Sequence, residues 1–312
     1  QTAIHEFRFA GDQAPGYEGS GIVDGSTIGQ FAFGEIGDSL AVVTTKGTPW
    51  SQDTKKVGVD MTVLTPDGER HLDVSSKIRD LSDGKGEVTA VRFVTDRVLV
   101  STGFFGRQVY VIDVSDPAKP RRAGNVNVPG EVGYFHPLPD GKALIVGRRS
   151  DTVGTGKDKR SRDWVQASLL DVTDADAPKV VNTWERPWSS DEVASDHHAF
   201  TYWPARKLAM WGIQETRWNQ QDTLLNHAAV LGITDSVREV AIPVASQPNE
   251  VAPPCPSIPI SSDAQKLLGS DAVVLACDDS TTKTVIWPRY VCSKVDKHTV
   301  ARFVAEDQRA KA

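Results

Sequence analysis

Cysteine, methionine and long apolar runs are all scarce in this chain. Its 312 residues include 3 Cys and 2 Met, too few for a disulfide-stapled scaffold or a Met-lined groove. No apolar stretch approaches the roughly 20 residues of a membrane-crossing helix, so the sequence contains no helical span. No CxxC pair and no Cys/His ligand spacing occurs, which excludes a structural zinc module. There is no Gly-x-Ser-x-Gly elbow and no glycine-rich phosphate loop; Gly103-Phe104-Phe105-Gly106 reads as a turn between strands. Basic excess is missing too. The 35 Lys and Arg against 41 Asp and Glu leave a net charge of -6, with the cations scattered, so no nucleic-acid surface is expected. The short run Lys157 to Arg162 sits among Gly and Asp and reads as a solvated loop tip. Helical periodicity is nearly absent, and only Ile260 to Leu268 predicts a short helical turn.

What is present is a recurring unit of roughly 50 to 60 residues. A β-branched run ends in an apolar residue, then Ser or Thr, then a turn with Asp or Pro. It occurs as Val63-Leu64-Thr65-Pro66-Asp67, as Val109 to Pro117, as Ser168 to Asp174 and as Ala229 to Asp235, with a weaker copy at Ile4 to Phe9. The matched positions Phe9, Leu64, Val114, Val172 and Ile233 are spaced by 55, 50, 58 and 61 residues. Before each later copy stand two more strands joined by a tight turn. The first pair is Gln30–Phe33 with Ser39–Val43, and the second is Ala90–Val94 with Arg97–Val100. The third is Tyr134–Leu138 with Ala143–Val146, and the fourth is Ala199–Trp203 with Leu208–Trp211. The links Ile36-Gly37-Asp38, Thr95-Asp96 and Pro139-Asp140-Gly141 carry hairpin turn residues.

Each unit thus supplies two inner and two outer strands. A lone four-stranded sheet cannot bury both faces, so neighbours must stack around an axis. The predicted fold is all-β, a β-propeller of four-stranded antiparallel blades. Its units are 1–24 (partial), 25–79, 80–129, 130–187, 188–245 and 246–312. The last unit reads as strands Ala272–Ala276, Thr284–Trp287, Tyr290–Lys294 and Val300–Val304. The chain is a single propeller domain or the C-terminal portion of a larger one, with about five blades plus two outer strands, Thr2–Phe9 and Tyr17–Val23. A half-built blade exposes unpaired edges, so a second chain or an upstream fragment is expected to complete it.

The runs Gln30–Phe33, Val43 to Trp50, Val109–Pro117, Phe135 to Gly141 and Asp196 to Pro204 stand in order along the chain. Together they resemble a family of secreted, actinobacterial-type β-propeller domain proteins, distantly like WD40 repeats, over roughly residues 3 to 245. The resemblance implies an exported bacterial protein, at the cell surface or in the envelope. Members of that family carry a long further stretch before the point matching Gln1, and the match fades after Val251. Gln1 in place of Met fits a processed terminus.

Asp196-His197-His198 is the densest polar cluster, placed where an inner strand begins, with Asp191 and Glu192 just before it. His136 takes an inner-strand position of the preceding blade. His136, Asp196 and His197 are the candidate ligands of a divalent metal at the channel mouth, calcium or a transition metal. Adjacent residues on an extended strand point to opposite faces, so His197 and His198 cannot both be ligands if the chain is extended there. Competing with this, the histidines serve as hydrogen-bonded spacers between blades. The aspartates of Asp113 to Asp116 and Asp171 to Asp176 suit calcium chemically, but Asx turns account for them. Trp184, Trp188, Trp203, Trp211 and Trp218 divide between inter-blade packing and surface recognition. Trp188, Trp218, Glu192 and His198 are the candidate binding residues on the loop face. In an oxidising compartment Cys277 and Cys292 are expected to pair, with Cys255–Cys277 as the alternative. The leading functional expectation is a non-enzymatic extracellular binding or scaffold module for a protein or other ligand, with no firm cofactor. A metal-dependent enzyme or sensor at the channel mouth, and a structural envelope component, are the alternatives.

Overall fold

The computed structural model describes residues 1–9, 11–47, 57–84, 86–103, 107–217, 223–241, 244–245, 257–258, 274–275, 290–295 and 298–303. The chain divides into two units, Gln1–Ala245 and Ser246–Ala312. Among the described residues there is no α-helix, only strands and short 3₁₀ turns.

The first unit opens with a hairpin, β1 (Thr2–Arg8) against β2 (Gly16–Val23). Four antiparallel sheets follow in chain order. Blade 1 is β3 (Phe33–Ile36), β4 (Ser39–Lys46), β5 (Gly58–Pro66) and β6 (Leu72–Ile78). Blade 2 is β7 (Val88–Val94), β8 (Arg97–Thr102), β9 (Gln108–Asp113) and β10 (Arg121–Asn127). Blade 3 is β11 (Glu131–Leu138), β12 (Lys142–Val153), β13 (Arg160–Asp171) and β14 (Lys179–Pro187). In blade 4, β15 (Ser189–Asp191) and β16 (Phe200–Trp203) share one edge of β17 (Leu208–Arg217), which pairs β18 (Thr223–Ile233). Two short strands, β19 (Val237–Ala241) and β20 (Val244–Ala245), line the far side of β18.

The apolar runs that look too hydrophobic for half-exposed strands are buried on both faces. In β12, Leu144 and Val146 pack toward blade 4 while Ala143 and Ile145 pack toward blade 2. In β9, Tyr110 and Ile112 join the core shared with blade 1, and Val109 and Val111 join the core shared with blade 3. Period-two alternation therefore divides these strands of blades 2 and 3 between two inter-blade cores. The opening hairpin packs Ile4 and Val23 on Val42, Leu64 and Leu72 of blade 1. Its other face leaves Phe7 and Ile22 exposed, and among the described residues β1 pairs with β2 alone.

One local expectation is corrected. Gln30–Ala32 is a 3₁₀ turn leading into β3, not the start of that strand. The inner strand of blade 4 is interrupted: β15 pairs Ile213 to Glu215, β16 pairs Leu208 to Trp211, and the intervening residues leave the sheet. Val193 in that excursion is buried, and its N–H donates to Asp191 Oδ1 at 2.9 Å. Gly133 lies under Ala194, where a Cβ would stand 2.6 Å from the alanine methyl, so glycine is needed for the excursion to lie down.

In the second unit, β21 (Ser257–Ile258) pairs β22 (Val274–Leu275), and β23 (Tyr290–Val295) pairs β24 (His298–Phe303). Cys292 lies on β23. Cys255, Cys277, Thr284–Trp287 and the helical turn expected within Ile260 to Leu268 fall outside the described residues.

Candidate functional site

The inner ends of four blades meet at an aromatic and imidazole cluster. Phe31, on the 3₁₀ turn before blade 1, lies 6.0 Å from the Tyr134 ring of blade 3 and 5.0 Å from the His197 ring of blade 4. Arg92 of blade 2 lies over Phe31, 3.7 Å from the ring centroid, and 5.1 Å from that of Tyr134. Its Nε donates to the Phe135 carbonyl at 2.9 Å, tying blade 2 to blade 3. His136 stands 4.9 Å from both the Phe200 and Tyr202 rings. Burial, with the Arg92 charge adding to it, pushes the His136 imidazole down to about 4, so it is neutral at physiological pH.

His136 is thereby separated from the other expected metal ligands. The residues brought together are Asp196, His197 and His198, whose ligand atoms all lie within 4.8 Å of one another. The premise of opposite-facing histidines fails because the chain here is not extended. His197–Ala199 is a 3₁₀ turn capped by Asp196, whose Oδ1 accepts from His198 N and sits 2.9 Å from His198 Nδ1. The two imidazole centroids are 3.9 Å apart, on the same side. The Gln30 amide nitrogen lies 3.1 Å from His197 Nε2; an amide nitrogen only donates, so that ring nitrogen accepts. The Asp196 carboxyl is held below its usual range, first by the His198 backbone N–H and then by its side chain. Two imidazoles and one ionised carboxylate suit zinc, nickel or copper better than calcium, which prefers oxygen donors throughout. The aspartates of the two Asp-rich turns are already engaged. Asp113 Oδ1 accepts from Ser115 N and Oγ, and Asp171 Oδ1 accepts from Thr173 N and Oγ1.

A second polar assembly stands on blade 3. Arg149 and Arg162 lie 3.9 and 4.6 Å from the Trp164 centroid, and Arg162 is 5.9 Å from that of Trp188. Asp151 accepts from both guanidiniums, and Arg149 makes a two-pronged pair with Glu185. The arginine hydrogen bonds and charges hold the Asp151 carboxyl far below its usual value. Trp188 is half-buried with φ 57°, an uncommon backbone region for a bulky residue. Its carbonyl is pinned by Thr216 N at 2.8 Å. Of the other tryptophans, Trp211 is buried edge-on to Trp184 at 6.0 Å, and Trp184 Nε1 donates to Glu239 at 2.9 Å. Glu192 and His198 are exposed, and Trp218 lies outside the described residues. Gln30, Phe31, Arg92 and Tyr134 carry no local signature, and only their tertiary convergence reveals them.

Stacked four-stranded sheets with shared inter-blade cores and a cluster at their inner ends define a blade-repeat protein. The model of the Beta propeller domain matches residues 1–263, and the chain belongs to that family. It is similar to an uncharacterized protein of Archaeoglobus fulgidus, 30% identical over 185 residues, covering 59% of this chain and 26% of the relative. An uncharacterized protein of Methanocaldococcus jannaschii is 30% identical over 183 residues, with 59% and 26% covered. The chain spans about a quarter of the length of these relatives. Both are archaeal, so the actinobacterial-type assignment does not carry over.

Proposed function

We propose that this chain is a non-enzymatic binding or scaffold module, acting outside the cell or at its surface on a protein or other ligand. The observation that supports it most is the overhang of the β12–β13 hairpin. Its last four rungs, from Ser150–Asp163 to Val153–Arg160, extend past the end of β11 at Glu131 and of β14 at Pro187. An unflanked ribbon gains little stability for the chain it orders, and such projections commonly carry recognition. This one presents arginines stacked on Trp164 beside Trp188, the residue types that anchor interfaces. A photo-crosslinker at Lys157 in the native cell tests the reading. It should trap a discrete adduct in the envelope or medium, lost in Arg162→Ala; adducts confined to cytosolic proteins would overturn it. The same proposal has strands from a second chain or an upstream segment flank β1, and a native mass of the intact protein checks for a second chain.

A second reading is favoured by the clustering of Asp196, His197 and His198 within 4.8 Å. In it these residues hold a transition-metal ion, and the module senses the metal or uses it in catalysis.

A further inference from the structure

The arginines around the inter-blade cores are matched with carboxylates. Arg97 meets Asp96 and Asp113, Arg121 meets Asp113 and Asp176, Arg122 meets Asp83, and Arg149 meets Glu185. Arg92 differs: among the described residues no carboxylate faces it. Of its five N–H donors, one goes to the Phe135 carbonyl and the Tyr134 hydroxyl takes a further side-chain hydrogen bond, and the guanidinium otherwise lies against the Phe31 and Tyr134 rings. The groups around it bring no negative charge. His136 is neutral, with Nδ1 3.4 Å from the Tyr134 hydroxyl. Burial raises the Tyr202 hydroxyl above its usual value, which keeps it protonated. Burial also lowers the Arg92 pKa from its ordinary value, which is the signature of a cation held without a counter-charge.

A half-buried cation flanked by aromatic faces is costly unless an anion meets it. The cation–π contacts and the Tyr134 hydrogen bond recover part of that cost, but they leave part of the planar fork of guanidinium donors unspent. That fork matches the two oxygens of a carboxylate or phosphate. We infer that the meeting point of the four inner blade ends binds a small molecule through an oxyanion, carboxylate or phosphate, paired with Arg92 beside Tyr134 and His136. The site is distinct from the β12–β13 overhang and does not require it.

Thermal unfolding of the intact protein tests this, with sodium phosphate and sodium succinate each compared with sodium chloride at equal ionic strength. The wild type is expected to gain several degrees, saturably, with phosphate, succinate or both, and whichever acts identifies the class of oxyanion. Arg92→Met is expected to lose that gain and, without added anion, to melt no lower than wild type, because an unmatched charge has become apolar. Arg92→Lys keeps the charge but not the fork, and is expected to lose at least part of the gain. Equal gains in wild type and Arg92→Met would place the ions elsewhere and overturn the inference. So would no gain in the wild type with either anion, since Arg92 would then be a stacking spacer. Should Arg92→Met fail to fold, a full wild-type gain in Arg92→Lys overturns the inference by itself.

Discussion

Gly34, on the inner strand of blade 1, lies directly against the ring of Phe93 on the inner strand of blade 2, leaving no room for a Cβ. The contact sets how closely the two blades approach. Gly34→Ala is expected to destabilise the protein by about 1–3 kcal/mol, the usual cost of forcing extra volume into a packed interface. Gly212→Ala is the control, because nothing lies within 4 Å of the position its Cβ would take. Urea unfolding checks both, and equal midpoints for the two variants would contradict the account.

The repeat was legible because its period reflects a bond as well as a pattern. Val114, Val172 and Ile233, equivalent by spacing, each donate their N–H to the turn of the preceding hairpin. The acceptors are Asp96, Gly141 and Lys207, at 3.0, 2.9 and 2.8 Å. Leu64 matched by spacing, yet it sits inside β5 paired with Leu40 and Val74, so blade 1 keeps the pattern with a different register. The orientation of the histidine pair was not legible, because the alternation rule presumes a continuous strand and blade 4 interrupts it. One signal was available: an Asp two residues before His198 can cap a tight turn, as Asp196 does. Arg92 gave no signal, since its meaning lies in the absence of a partner that only tertiary structure reveals.

Two half-buried groups titrate against each other. His136 has a folded value of about 4 against an ordinary 6.5, so the unfolded chain binds its proton first and stability falls as pH drops through that window. Burial, opposed by the Val193 N–H, raises Asp191 from 3.8 to about 6, so its folded form holds a proton that the unfolded chain has lost, and stability falls as pH rises through its window. Between about pH 4 and 6 the two contributions offset. Asp191→Asn is expected to unmask a rise of stability with pH there, and His136→Asn a fall, each below about 1.4 kcal/mol per pH unit. Denaturant midpoints across that range check the signs, and slopes of the same sign in both variants would refute the assignment.

Among the described residues neither β11 nor β14 pairs with the last four rungs of the β12–β13 overhang, so its removal is expected to leave the blades intact. Replacing residues 150–163 with a two-residue type I′ turn should preserve the β-sheet circular dichroism and shift the melting point by no more than a few degrees. Arg149→Ala is expected to cost more than this excision's effect on the outer rungs suggests, because it also abandons Glu185 on β14. A cooperative loss of structure on excision would show the ribbon to be part of the fold, weakening its reading as a recognition element.

The metal reading separates sharply by residue. Zinc bonds of about 2.0–2.2 Å ask for an adjustment of Asp196, His197 and His198, whose ligand atoms already lie within 4.8 Å of one another, by rotation of the exposed Asp196 and His198 side chains beside the half-buried His197. His197 would exchange its Gln30 contact for the ion, and the Asp196–His198 contact would become shared coordination. His197→Ala and His198→Ala are each expected to weaken zinc or nickel binding at least tenfold, while His136→Asn leaves it unchanged because His136 lies in the aromatic wall. Isothermal titration of the intact protein reads all three. Binding that survives His197→Ala and His198→Ala, or that disappears with His136→Asn, would locate the ion at a different set of ligands.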